Sequence, residues 1–219
     1  MATWLITGCN RGIGLELSRQ LSARGDGVIG VCREASEALK GQGVRVIDGV
    51  DVSSDNGVTR LVEQLGDTPV DVLVNNAGIL RRDGLDSLDF DAITEQFRVN
   101  TLGPLRVTQA LVGNLGRGSK VGIITSRMGS VADNGSGGYY GYRVSKAGVN
   151  MVGMSLARDL AERGIAVGLL HPGMVATEMT GGQGIVAEDS ARGLLQRLDA
   201  LDIDKTGSFW HAEGYELPW

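Results

Sequence analysis

"TWLITGCNRGIGLELSRQLSARG", residues 3–25, decides the fold. Thr3 to Thr7 is an apolar run of strand length, and Ile13, Leu17 and Leu21 then recur at helical spacing until Gly25. Between them lies "TGCNRGIG", in which Gly8, Gly12 and Gly14 are the fixed points. Such a strand-to-helix turn lets backbone N–H groups and the helix N-terminus face a pyrophosphate with no side chain in the way. The same glycines also suit a tight turn with positive φ and close helix–sheet packing. The spacing G-x-x-x-G-x-G does not separate the two readings by itself.

The rest of the chain repeats the strand–helix alternation. Further strands are read at Gly27–Cys32, Val44–Val52 (with its exit), Val70–Gly78, Lys120–Ser126 and Gly164–Gly173. Helical patterns fall at 34–40, 53–66, Asp89–Val99, Leu102–Leu115, Tyr139–Arg163 and Ala187–Leu198, and "GSFWH" (Gly207–His211) closes the chain. Strands that are apolar along their whole length belong to a parallel sheet covered on both faces. The expected fold is α/β: a single doubly wound parallel sheet (Rossmann fold) with helices on both faces, one domain over residues 1–219.

Composition narrows the function classes. The chain is 42% hydrophobic and 21% charged, with a net charge of -5, which weighs against a nucleic-acid surface. No apolar run is long enough for a membrane span. Two cysteines, Cys9 and Cys32, imply no disulfide framework, so the expected compartment is a reducing cytoplasm. No metal-ligand spacing is present. Glycine is the outlier, at 34 residues against 4 prolines, which points to close backbone approaches.

A charge signature sharpens the reading of the first turn. Sites for NAD place Asp or Glu at the end of the second strand to bond the ribose 2′-hydroxyl. This chain has Arg33 there, and Arg11 lies inside the glycine turn. Arginines pair with a 2′-phosphate, so the expected cofactor is NADP(H).

"TGCNRGIG", "NNAG" (Asn75–Gly78), Y-x-x-x-K (Tyr142 to Lys146) and P-G-x-x-x-T (Pro172 to Thr177) resemble, in order and spacing, the short-chain dehydrogenase/reductase family. The ending "GYELPW" is similar to that of small carbonyl-reductase-like and C-factor-like members. The resemblance implies a catalytic tetrad of Asn100, Ser126, Tyr142 and Lys146. Ser130 is the alternative serine, since the segment before Tyr142 is longer than usual. Ser126 is preferred because it directly follows the apolar strand, at the carboxyl end where ligands bind in open α/β sheets. The resemblance also implies a cofactor shell. Gly8, Asn10, Arg11, Gly12, Ile13 and Gly14 form the turn; Arg33, Asp51 and Val52 flank the adenosine; Asn76, Ala77 and Gly78 line the ribose side; Pro172, Gly173, Val175 and Thr177 meet the nicotinamide, and Tyr142 and Lys146 complete the shell.

The chemistry accounts for the residue types. Reduction of a carbonyl builds negative charge on its oxygen, which needs a proton donor and a hydrogen-bond partner. A phenol titrates near pH 10, and a nearby ammonium lowers that value. Tyr142 and Lys146, four apart, lie one helical turn from each other; Tyr139 and Tyr140 have no such lysine. The resemblance implies that Asn100 helps hold a water that relays protons to Lys146; its position before "TLGP" also suits a cap at a helix junction. Asn75 reads as a tie between loops, His171 as strand-end structure, His211 as tail and Cys9 as a small filler.

Met174, Val175 and Met179 on one side, and Met128, Tyr139 and Tyr140 on the other, suggest an apolar or aromatic carbonyl or alcohol substrate beneath a lid hinged at Gly181 and Gly182. Gly103 and Gly113 on one helix and Gly148 and Gly153 on another would allow close helix pairing, and the resemblance implies a homodimer or homotetramer. The alternative function is an NADP(H)-binding sensor of low turnover.

Overall fold

The computed structural model describes all 219 residues. Its strands are β1 (Thr3–Thr7), β2 (Gly27–Val31), β3 (Arg45–Ile47), β4 (Val70–Asn75), β5 (Leu115–Ile124), β6 (Ala166–His171) and β7 (Ser208–His211). All pair in parallel, in the order β3-β2-β1-β4-β5-β6-β7. The order reverses between β1 and β4, which makes a crevice outside their carboxyl ends, the expected ligand position of a doubly wound sheet.

The helices are α1 (Gly12–Arg24), α2 (Glu37–Lys40), α3 (Asp55–Leu65), α4 (Phe90–Phe97), α5 (Gly103–Leu111), α6 (Tyr140–Ala161) and α7 (Ala187–Ala200). Strand side chains alternate between faces, so each strand feeds two cores. Trp4 and Ile6 pack with Leu17 and Leu21 of α1 and Leu194 and Leu198 of α7. Leu5 packs with Leu61 of α3, Leu111 of α5 and Val149 of α6.

Two regions depart from the sequence reading. The helices expected at Asp89–Val99 and Leu102–Leu115 are joined by a π-helical turn at Arg98–Leu102, and the second stops at Leu111. The N–H of Gly103 bonds the carbonyl of Arg98, five residues back, and Pro104 has no N–H with which to restore the regular ladder. Leu115, which continues the helical spacing, is instead the first residue of β5.

The second departure is at the C-terminus. "GSFWH" supplies β7, so His211 ends a strand and is no loose tail. Residues 215–217 fold back on that edge strand: His211 donates to the Tyr215 carbonyl (2.8 Å) and Leu217 to that of Phe209 (2.9 Å). An otherwise open sheet edge is covered in this way.

His171 and His211 lie in register on β6 and β7, both buried, with ring centroids 4.9 Å apart. Burial, and then the neighbouring imidazole, push His171 down to about 3. The unfolded chain takes up this proton below about pH 6.5, whereas the folded chain resists until about 3. The stability from a neutral His171 is therefore full above pH 6.5 and lost as pH falls toward 3. Urea unfolding across that window should show wild type losing up to about 1.4 kcal/mol per pH unit more than His171→Gln. Parallel curves would refute the assignment.

Candidate active site

A cleft of about 650 Å³ opens along the carboxyl ends of the central strands. Of the site residues read from the sequence, all but Gly14, Asn100, Ser126, Gly173 and Val175 line it. Gly8 (φ 69°) turns the chain sharply, and a Cβ there would lie 2.8 Å from Ala77 Cα. A Cβ on Gly14 would come within 2.5 Å of Asn76 Nδ2. Close packing thus shapes the turn, and Gly8 and Gly12 of the same turn line the cleft.

The ends of β1 and β4 are braced by side chains. Thr7 Oγ1 accepts from the N–H groups of Asn76 (3.0 Å) and Ala77 (3.1 Å). Asn76 Nδ2 donates to the carbonyls of Thr7 and Gly8, both at 3.0 Å. Asn75 is turned the other way, onto Thr108 (3.0 Å), as a tie between β4 and α5. Ser36 fixes the next stretch by donating to the Asn10 carbonyl at 2.7 Å. The residue before α1, Arg11, gives no side-chain cap, and the first turn holds no acid, so the first N–H groups of the helix keep no side-chain partner.

Arg33 is exposed on the cleft wall, and its neighbour Glu34 does not line the cleft. Asp51 turns its carboxylate to Ser53, accepting from its N–H (2.9 Å) and hydroxyl (2.8 Å). Arg11 is paired with Glu178, across the cleft, rather than turned toward Arg33. An uncapped helix end, a free arginine and glycine walls fit a phosphate-bearing dinucleotide.

Ser126, Tyr142 and Lys146 meet at the carboxyl end of β5. Tyr142 and Lys146 are both buried, and the Lys146 ammonium lies 5.6 Å from the phenol ring centre. Lys146 Nζ donates to the Ile124 carbonyl (2.9 Å). The Ser126 hydroxyl caps a short turn through the Met128 N–H (3.1 Å) and stands beside the Tyr142 phenol. Ser130 spends its hydroxyl on the Asp133 N–H (3.0 Å), as a loop residue would.

Burial raises Tyr142 to about 12, and the nearby Ser126 hydroxyl offsets part of the rise. Burial also lowers Lys146 to about 8. The expected net lowering of the phenol by Lys146 is not what the protein groups produce. The ammonium is drawn to the Ile124 carbonyl, and desolvation of the phenolate wins.

Asn100 sits in the π-helical turn, buried. Its Oδ1 accepts from the Ile79 N–H (2.8 Å), and its Nδ2 donates to the Ile79 carbonyl (2.8 Å) and to Ser145 Oγ (3.0 Å). Ser145 in turn donates to the Tyr142 carbonyl at 2.8 Å. Asn100 thus fastens the loop after β4 to the helix that carries Tyr142. Gly173 lies beside His211, and Val175 is buried in a bridge to Ile185. Of the six residues expected as apolar walls, Met179 lines the cleft, while Tyr140 is 41% exposed.

Asp83 has no motif, yet it holds the start of α6. Its carboxylate accepts from the N–H groups of Tyr140 and Gly141, and its carbonyl from that of Tyr139 (3.1 Å). Tyr139 takes a left-handed conformation (φ 52°) to enter the helix, uncommon for an aromatic residue. Asp83→Ala should lower the unfolding free energy by about 1–2 kcal/mol, read from urea titration. An unchanged midpoint at unchanged slope would show that the carboxylate does not secure α6.

Comparison with known proteins agrees with this geometry. A sequence profile described as short chain dehydrogenase matches residues 2–185. The 1-hydroxy-2-glutathionyl-2-methyl-3-butene dehydrogenase of Rhodococcus sp. (strain AD45) is 43% identical over 226 aligned residues, covering 100% of both chains. C-signal of Myxococcus xanthus is 44% identical over 155 residues, 69% of this chain and 93% of that protein. The crystal structure of NADPH-bound carbonyl reductase from chicken fatty liver superposes with a TM-score of 0.89 at 27% identity, covering 100% of this chain and 99% of that one. The chain belongs to the short-chain dehydrogenase family and is an oxidoreductase on a Rossmann-type sheet.

Proposed function

We propose that the protein reduces an apolar or aromatic ketone or aldehyde, reversibly, with NADPH. The observation that carries this reading is the meeting of Ser126, Tyr142 and Lys146 at the end of β5, two of them lining the dinucleotide-sized cleft. The glycine turn, the α1 N-terminus, Arg33 and Thr177 would hold the nucleotide. Bound there, the nicotinamide supplies or accepts the hydride.

The protein's share is protonic and positional. Tyr142, raised to about 12, keeps its proton at neutral pH and acts as the acid toward a carbonyl oxygen. Ser126 orients that oxygen with the phenol. Lys146 has three N–H donors and spends one on Ile124, so the rest are free to meet ribose hydroxyls and to support the phenolate after transfer. Asn100 fixes the frame between Ile79 and α6.

NADP(H) is favoured over NAD(H) because Arg33 lines the cleft and no acid stands in its place. Exposed Val144 and Met151 on α6 support self-association through that helix, which sedimentation would test. The likeness to C-signal keeps the sensor reading as the alternative.

The test is NADPH oxidation, followed by absorbance, with a panel of aldehydes, ketones and diketones, and the reverse reaction with alcohols. Tyr142→Phe should lower turnover at least 100-fold while nucleotide affinity changes little. Tight NADPH binding with no substrate reduced or oxidised would favour the sensor instead. Arg33→Asp should lower the NADPH-to-NADH preference about tenfold or more; an unchanged preference would remove the cofactor argument.

A pH dependence also follows. Lys146 loses its proton as pH rises through about 8, so kcat/KM for reduction should fall on the alkaline side of that value. A profile flat to pH 10 would contradict a role for the ammonium.

A further inference from the structure

Arg11 and Glu178 form a direct ion pair across the mouth of the cleft. Arg11 belongs to the glycine turn before α1, and Glu178 to the loop that follows β6. Neither side chain has another ionic partner, and they are 64% and 76% exposed. Beneath them the walls nearly touch: a Cβ on Gly12 would lie 3.3 Å from Thr177 Cγ2.

The loop that carries Glu178 is tied mainly to itself. Ala176 donates to the Ile185 carbonyl and Ile185 to that of Met174, both at 2.8 Å. Thr180 Oγ1 donates to the Val175 carbonyl at 2.6 Å. Its tip residues Gly181, Gly182 and Gln183 are exposed. Arg11–Glu178 is the ionic bond between this loop and the opposite wall.

We propose that Glu178 is a specificity-determining residue that holds Arg11 in competition with a 2′-phosphate, so that recognition of the phosphate and release of the 174–185 loop are one event. This rests on the NADP(H) reading above. A phosphate dianion offers more charge and more acceptors to a guanidinium than one carboxylate does. An exposed ion pair is weak and easily exchanged. A nucleotide without the 2′-phosphate gives Arg11 no reason to leave, and the pair stays closed. Glu178 therefore lowers the apparent affinity for phosphorylated nucleotide by the fraction of closed pair, a selection cost that its removal abolishes.

Calorimetry with adenosine 2′,5′-bisphosphate and adenosine 5′-monophosphate isolates the phosphate, because the two differ only there. Wild type, Arg11→Gln, Glu178→Gln and the double variant are compared at low ionic strength, where screening is least. Wild type should bind the bisphosphate more tightly, and Glu178→Gln should raise the affinity ratio about two- to fivefold. In the Arg11→Gln background the same change should leave the ratio unmoved. Hydrogen exchange in residues 174–185 should quicken in wild type with the bisphosphate but not the monophosphate. In Glu178→Gln it should be fast before any nucleotide is added.

A ratio unchanged by Glu178→Gln, in a protein where Arg11→Gln lowers it, would overturn the competition. A ratio unchanged by Arg11→Gln would show that Arg11 never leaves Glu178, and would overturn it as well. If wild type does not distinguish the two nucleotides, the NADP(H) reading itself fails and takes the proposal with it.

Discussion

A buried ammonium with one protein acceptor is the constraint around which this site is built. Lys146 is 5% exposed, and its Nζ donates to the Ile124 carbonyl alone. Burying a charge is costly unless it is paired and hydrogen-bonded, and the depression of Lys146 to about 8 expresses that cost. The surroundings are shaped to the lysine. A Cβ on Gly129 would lie 2.6 Å from the Lys146 carbonyl carbon, so the turn after β5 can press against α6 only as glycine. A Cβ on Gly78 would stand 3.2 Å from Asn100 Oδ1 and 3.8 Å from Lys146 Nζ. Asn100, Gly78 and Lys146 therefore share one small volume.

That volume lies where three independent pieces of chain converge, and polar side chains hold them. Thr7 and Asn76 bind the end of β1 to that of β4. Asn100 and Ser145 bind the loop after β4 to α6. Asp83 binds the same loop to the first turn of α6. The apolar cores on the two faces make the sheet stable, but they do not set the direction of Tyr142. Its direction depends on a helix pinned at its first turn and again at Ser145.

The legible part of the molecule was the local part. The strand–turn–helix at residues 3–25 and the period of α3 carry their own signals, because side-chain spacing and helix geometry act over a few residues. The Tyr142–Lys146 spacing is of the same kind. Ser126 could be preferred to Ser130 because it follows an apolar strand. The π-helical turn was not legible, because Leu115 continued the helical spacing while the bond that matters joins Gly103 to Arg98. Asp83 and Glu178 were silent for a different reason. Their partners lie 58 and 167 residues away, and an isolated acid in a loop looks the same whether or not the fold delivers it to a helix end or an arginine.

Burial also revises the electrostatic argument drawn from spacing alone. In water a phenol and an ammonium titrate near the same pH, so one helical turn of separation suggests a shared proton and an acidified tyrosine. In the folded chain desolvation favours the neutral form of each, raising the phenol to about 12 and lowering the amine to about 8. At neutral pH the pair rests as neutral phenol beside ammonium, the state of a proton donor. Moving to phenolate beside ammonium requires further positive charge or hydrogen-bond donors close to Tyr142. The Ser126 hydroxyl supplies part of this, and in the proposed reaction it would also orient the oxygen that receives the proton. The fold therefore sets the resting proton on Tyr142, and the reverse of the proposed reaction would depend on charge that arrives with the ligands of the cleft.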